Sequence, residues 1–181
     1  TIDNFNECLE NVNFALIGEI MVKLRTSVYQ SLSEFQNVSL ISFSGGELLF
    51  VAGLFNDEQN GSTEATDTIQ FAFKLNQILT DIFNTYNLKL TVKYGVATGG
   101  PVFCKVFGGD LPRCIVFGDI VNISKKLESS CSPGNLLFEL TTFECISHLG
   151  VQAQDLGEFD YQGRKSHYYS ISLDSGSQIV V

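Results

Sequence analysis

Phe117-Gly118-Asp119-Ile120-Val121-Asn122-Ile123-Ser124-Lys125-Lys126-Leu127-Glu128-Ser129 is the stretch that decides how the rest of the chain is read. Asp119 suits a helix N-terminus, and the helix it opens runs to about Ser129 and stops before Ser132-Pro133-Gly134. Asn122 and Lys126 are four residues apart and so share one helical face. Upstream, Leu88 to Ala97 reads as a strand rich in β-branched residues. Thr98-Gly99-Gly100-Pro101 breaks it before a second strand, Val102 to Phe107. Gly108-Gly109-Asp110-Leu111-Pro112 is a loop, and Cys114 to Phe117 a short strand. Downstream come a strand from Leu136 to Leu140, a short helix near Thr142 to His148, and a last strand from His167 to Leu173.

The first half of the chain has two longer periodic segments. Phe14, Ile17, Met21, Leu24, Val28, Leu32 and Phe35 recur at steps of three and four, as do Ala65, Ile69, Ala72, Leu75, Leu79, Ile82 and Tyr86. Each set predicts one helix face laid on a core. Between them, Val38 to Phe43 and Leu48 to Ala52 flank Ser44-Gly45-Gly46-Glu47, a β-hairpin with a Gly-Gly turn. Asn56 to Thr63 is a polar loop. Helix, hairpin, helix, hairpin, then further α/β additions is the order of an α+β ferredoxin-like sandwich. Its sheet is antiparallel, with the 14–35 and 65–86 helices on one face.

At 181 residues, with 44% hydrophobic and 17% charged side chains, the chain is expected to form one domain over 1–181. Fifteen Phe against no Trp predict a core of aromatics without a polar handle. A formal net charge of −9 argues against nucleic acid or an anionic membrane surface as a partner, yet leaves room for a nucleotide held by a few local cations. Cys8, Cys104, Cys114, Cys131 and Cys145 are odd in number, scattered and without CxxC spacing, so free thiols in a reducing, intracellular compartment are expected. No apolar run approaches the ~20 residues of a membrane span. The chain opens at Thr1 without a methionine, and a domain of a longer, multi-domain or membrane-bound protein is expected.

The 117–129 stretch resembles the W/F-G-D-T-V-N-x-A-S-R-M-E-S segment of class III adenylate and guanylate cyclases. Gly100-Pro101-Val102-Phe103-Cys104-Lys105-Val106-Phe107-Gly108, then Leu111-Pro112-Arg113, is similar to that family's G-P-V-V-A-G-V-V-G followed by M-P-R. Ser132-Pro133-Gly134-Asn135-Leu136 is similar to its P-G-x-I/L, Val51-Ala52-Gly53-Leu54 to its V-A-G-L, and Asn4-Phe5 to its G-F or N-F. The pieces span nearly the whole chain in the family's order. The resemblance implies a dimer with shared sites at its interface. One half holds two metal ions through two aspartates. The other supplies base-recognition residues, an Asn for the ribose, an Arg for the transition state and a Lys for the phosphates. The family's reaction is attack of the ribose 3′-oxygen on the α-phosphate, with two cations neutralising the developing charge.

Matched residue by residue, the metal half departs from the family. Thr1 stands where the first aspartate should be, and Gly46 where the second should be. Neither can replace a hard anionic oxygen ligand. Asp3 and Glu47 lie nearby; the odd offset of Glu47 puts it on the opposite strand face. The complementary half is partly kept. Asn122 matches the ribose-orienting Asn, and Lys126 stands where the Arg should be, which keeps the charge but not the planar fork. Arg164 and Lys165, after Gly163, lie where the phosphate loop is expected. Ser42 and Ile115 occupy the base-recognition positions and read neither purine, since Ile115 offers no donor or acceptor. Ordinary surface roles remain open for Asn122, Lys126 and the Arg164-Lys165 pair. His148 and His167 fit no metal or triad spacing.

Three readings follow. In the first, the chain is a catalytically degenerate cyclase homology domain, a dimerisation, regulatory or scaffold module for another cyclase-type domain in the same or a different chain. In the second, it is the metal-free half of an active heterodimer, supplying Asn122 and Lys126, with Mg²⁺ or Mn²⁺ bound only if the partner supplies the aspartates. The third is a plain ferredoxin-like binding module. The first is the expectation, with no cofactor for the isolated domain.

Overall fold

The computed structural model describes residues 1–10, 12–56, 60–108 and 113–173. Residues 57–59 of the polar loop, and 109–112 with their Leu-Pro, lie outside the described residues. The elements in chain order are β1 (Ile2–Asp3), α1 (Phe5–Glu10), α2 (Phe14–Leu32), β2 (Val38–Ser44), β3 (Glu47–Ala52), α3 (Gly61–Thr85), β4 (Thr91–Val92), β5 (Tyr94–Val96), β6 (Phe103–Phe107), β7 (Arg113–Phe117), α4 (Asp119–Ser130), β8 (Asn135–Glu139), α5 (Leu140–Ile146), a 3₁₀ turn (Ser147–Leu149), β9 (Gln154–Tyr161) and β10 (Arg164–Ser172).

Both long helices start on asparagine caps: the Asn13 side chain accepts from the Ala15 N–H, and the Asn60 side chain from the Ser62 N–H. α2 buries Ile20, Leu24, Val28 and Ser31. That stripe leaves Phe14 roughly 80° round the helix from Leu24, and Phe14 is 88% exposed, contrary to its expected place on the core face. α3 is buried more broadly because it lies between two clusters. Phe71, Leu75, Leu79 and Ile82 pack with α2, β1 and β4, while Ala65, Ile69 and Ala72 pack with β8, α5 and β10. α2 and α3 pack on each other, as the sandwich requires.

β2 and β3 form the expected hairpin, from Val38↔Ala52 to Ser44↔Glu47, with a register shift between Leu40 and Ser42. β1 pairs antiparallel with β4. β6 and β7 form a separate antiparallel ribbon. A four-stranded sheet of order β5-β8-β10-β9 includes one parallel pair, β5–β8. In that sheet Leu136 and Phe138 point toward α3 and α5, while Leu137 joins Ile123, Leu127 and Cys131 under α4. The one-face arrangement therefore holds for α2 and α3, and α4 covers the reverse face.

Three local expectations are corrected. Gly118 occupies the N-cap position of α4 and Asp119 makes no capping bond, so Asp119 acts as a first-turn acid facing the helix dipole. The 163–165 segment is part of a hairpin: the turn is Gln162-Gly163, and Arg164 and Lys165 already belong to β10. Cys104 and Cys114 form a disulfide where free thiols were expected. The β6–β7 register, Cys104↔Val116 and Val106↔Cys114, sets the two on one face with Cα atoms 6.5 Å apart, inside the usual bridging range. Cys8, Cys131 and Cys145 are free. Among the described residues no helix is long and apolar enough to cross a membrane.

Candidate functional site

The structure brings Thr1 and Gly46 side by side. Thr1 and Lys93 exchange backbone hydrogen bonds, Thr1 N to Lys93 O at 2.7 Å and Lys93 N to Thr1 O at 2.9 Å. The next amide, Ile2 N–H, donates to the Gly46 carbonyl at 2.9 Å. The strand end and the hairpin turn thus meet where two carboxylates would have to converge. Gly46 sits at φ +85°, in the left-handed region that favours glycine. A Cβ there would lie 2.8 Å from Phe5 Cβ and 3.2 Å from the Ile2 carbonyl oxygen. This backbone does not accommodate an aspartate at position 46 without displacing Phe5, a core residue.

The two nearby acids face lysines. Asp3 pairs with Lys93 at 3.2 Å, and Glu47 with Lys125 of α4 at 3.2 Å. Among the described residues no three His, Cys, Asp or Glu side chains cluster as a metal site would require. The residues present at this corner do not fit a two-cation centre. Sequence reasoning missed both lysine partners, because Lys93 and Lys125 are far from the acids in the chain and carry no periodic signal.

The other half lies on α4, whose inner side is fixed by Ile123 and Leu127. Asn122 and Lys126 are exposed on its outer side, and neither side-chain head group meets a polar partner among the described residues. Arg164 comes to the start of this helix. With Asp119, Ile120, Phe103 and the 100–101 turn it lines a recess of about 170 Å³. Lys165, its strand neighbour, is aimed away and pairs with Glu158 at 3.5 Å. Arg164 reaches toward buried Glu139, with Nη2 to Oε2 at 4.0 Å. Burial pushes the Glu139 carboxyl up, and the Arg164 charge and the Thr98 amide pull it back in part. Glu139 is a site residue that sequence reading did not find: it ends an apolar strand and has no motif. Ser42 is exposed on β2 and Ile115 on β7, and these two strands touch.

The β6–β7 ribbon carries a second feature. Phe103, Val106, Ile115 and Phe117 are each at least 51% exposed, and Phe103 stacks on Phe117 with ring centroids 5.4 Å apart. The register Phe103↔Phe117, Lys105↔Ile115 and Phe107↔Arg113 puts these pairs on one face of the ribbon. Val116 of the opposite face is buried.

The α+β sandwich described above is a fold shared with solved nucleotide cyclase catalytic domains. Residues 1–172 match the family model of the adenylate and guanylate cyclase catalytic domain, and the chain belongs to that family. It is 28% identical over 168 residues to the receptor-type guanylate cyclase gcy-23 of Caenorhabditis elegans, covering 88% of this chain and 15% of that protein. It is 29% identical over 75 residues to the guanylate cyclase soluble subunit beta-2 of Homo sapiens, covering 41% of this chain and 12% of that one. The chain thus spans under a sixth of the length of these relatives. The adenylyl cyclase CyaB from P. aeruginosa shares the fold at TM-score 0.80 and 17% identity, over 93% of this chain and 88% of that one. The guanylate cyclase domain of RhGC from Catenaria anguillulae, in complex with GTP, does so at TM-score 0.80 and 20% identity, over 94% and 91%.

Proposed function

We propose that this chain is a catalytically degenerate cyclase homology domain that pairs with another cyclase-type domain and regulates or scaffolds it. The observation that carries the reading is the Thr1–Gly46 corner. It offers no carboxylate, its glycine has no room for one, and the acids beside it are neutralised by Lys93 and Lys125. The exposed Phe103, Ile115 and Phe117 supply an apolar contact face of the kind a monomer rarely leaves wet. The guanylyl cyclase domain of the RhoGC fusion protein from the aquatic fungus Blastocladiella emersonii, similar in fold, has been solved both as a non-canonical dimer and as a monomer, so pairing of a like domain is within the reach of this fold. A contact burying about 1,200 Å² or more is expected. Purified chain incubated with ATP or GTP and Mg²⁺ or Mn²⁺ is expected to yield no cyclic nucleotide. Turnover abolished by Glu47→Gln or Asp3→Asn would overturn the reading.

One observation favours the second reading, the metal-free half of an active heterodimer. Asn122 and Lys126 stand free on the same exposed helix face, with Arg164 at that helix's start. In that role Asn122 would orient a ribose, and the two cations would meet phosphate oxygens. Mixing the chain with an aspartate-bearing cyclase domain separates the two. A regulatory module changes the partner's rate equally with or without Asn122→Ala and Lys126→Ala. A catalytic half loses its effect with either.

A further inference from the structure

Among the described residues, β6 and β7 pair only with each other and join no larger sheet. β7 touches β2 and α4, while β6 packs chiefly on β7. A lone two-stranded ribbon is marginally stable at best in water, so this one depends on what ties its strands together. The backbone ladder runs from Phe103↔Phe117 to Phe107↔Arg113. On the exposed face the Phe103 and Phe117 rings stack. On the reverse face Cys104 and Cys114, diagonal neighbours in that ladder, are joined covalently.

The bridge is the strongest of these ties. Its two cysteines are 10 residues apart in the chain. Closing a loop of that size in advance shifts the balance between paired and open strands by about 100-fold. The bridge is also within reach of solvent. Cys104 and Cys114 are both half-buried, and Val106, on the same face of the ribbon, is 61% exposed. Lys105 and Arg113 adjoin the pair in the chain, and their positive charge draws an anionic thiolate toward it. Cys8, Cys131 and Cys145 are free; Cys131 is buried, its thiol donating to the Ser132 and Asn135 carbonyls. An exposed bridge beside free thiols is of the labile, regulatory kind, not a sealed structural one.

We propose that Cys104 and Cys114 are a reversible redox site whose co-reactant is a dithiol, and that its oxidation state sets the rigidity of the ribbon. One thiolate of the dithiol attacks one sulfur of the bridge, forming a mixed disulfide and releasing the other cysteine as a thiolate. The second thiol of the reductant then displaces the first cysteine. Two electrons pass to the pair, two protons end on Cys104 and Cys114, and the reductant leaves as its own disulfide. Reduced, the ribbon keeps its ladder and its aromatic stack but loses its covalent tie, so the face carrying Phe103, Ile115 and Phe117 is presented less firmly. The free thiols expected at these positions and the bridge found there are two states of one pair. The inference concerns the ribbon itself and stands whether or not that face contacts a partner.

The test treats the folded chain with dithiothreitol or with its oxidised form and reads thiol alkylation and amide exchange by mass spectrometry. The oxidised chain is expected to yield a linked Cys104–Cys114 peptide, with Cys8, Cys131 and Cys145 alkylated after unfolding. Dithiothreitol should open that link without denaturant, and the oxidised reagent should restore it. Exchange across 103–107 and 113–117 should be about 100-fold faster in the reduced chain, with α3 unchanged. Cys104→Ser and Cys114→Ser should exchange fast in both buffers, and Cys8→Ser should respond as the parent does. The parent compared in the two buffers decides the matter even where a variant folds poorly. A bridge that never forms, one that opens only in denaturant, or ribbon exchange that is equal in the two states overturns the proposal.

Discussion

Replacing Gly95 with alanine adds one methyl group where β5 passes beneath α4. The added carbon would overlap the Ser124 carbonyl oxygen and the Glu128 amide nitrogen, with Glu128 Cβ at 2.8 Å. The first two are helix backbone and cannot swing aside, so α4 must lift. Restoring ordinary carbon contacts of about 3.5 Å or more takes a displacement on the order of 1 Å. Such a shift loosens Ile123 and Leu127 from Leu137, the packing that sets the helix. Over-packing of this kind costs typically about 1–3 kcal/mol, and with backbone on the receiving side the upper end is expected. For a domain of this size that corresponds to a Tm lowered by roughly 6–12 °C. Circular dichroism melts of Gly95→Ala against the parent measure it. Gly18→Ala is the control, because a Cβ there meets nothing within 4 Å on the exposed side of α2, and a small rise in Tm is expected. A Gly95→Ala melt within about 2 °C of the parent would refute the close β5–α4 contact on which the placement of Asn122 and Lys126 depends.

Phe103→Glu should weaken association with a cyclase-type partner by about 2 kcal/mol, roughly 30-fold in Kd, while the melt of the isolated chain changes little; unchanged sedimentation of the mixture would remove the ribbon from the interface. Glu139 gives a pH prediction. Its folded pKa is raised by burial, so the stability tied to its protonated form is fully present below the ordinary glutamate pKa. That stability is lost as pH rises through the folded value. Glu139→Gln should therefore flatten the stability-versus-pH curve above about pH 4.3 and leave it unaltered below, and denaturant midpoints across pH 3–8 would show it. Gly46→Asp should destabilise the chain without creating turnover, because its side chain must displace Phe5; cyclic nucleotide formed by that variant alone would count against the degenerate-domain reading.

The two long helices and the Gly-Gly hairpin were readable because each is a local pattern: apolar steps of three and four, or two short runs around a turn. Phe14 misled because periodicity gives a stripe but not its phase, and only the partner, α3, fixes which side is inward. The β9–β10 hairpin was hidden. Gln154–Tyr161 reads as QDLGEFDY, a mostly exposed strand with no β-branched residue, held by pairing with β10 rather than by its own propensity. The disulfide was invisible for a similar reason, since spacing along the chain says nothing about which residues a hairpin sets side by side. At the candidate site the motif positions were legible as chain positions. Their partners were not: Lys93, Lys125 and Glu139 matter through ion-pair contacts with Asp3, Glu47 and Arg164 that lie 25 to 90 residues distant in sequence, which no local pattern encodes.

The Thr1–Gly46 corner and the Asn122–Lys126 face stand on two different parts of the molecule. The Thr1–Gly46 corner is built on β1 and the β2–β3 turn, over the cluster of Ile2, Phe5, Ile20 and Leu24. Asn122, Lys126 and the start of α4 rest on a separate cluster of Ile123, Leu127, Cys131 and Leu137. A pair of metal-binding aspartates is costly to hold together when no cation neutralises it, because like charges brought close repel. Thr1 and Gly46 carry no such repulsion and Gly46 lets Phe5 pack against the turn, while the Glu47–Lys125 ion pair still links this corner to α4. Arg164 shows the opposite constraint. Its guanidinium is the nearest counter-charge to buried Glu139, so a substitution there would strand a carboxyl in the core. The basic residue at the start of α4 thus has a partner within the fold, and its presence alone says little about phosphate binding. Asn122 and Lys126 have no such structural debt, so their free, outward placement is the feature by which a surviving nucleotide role would be recognised.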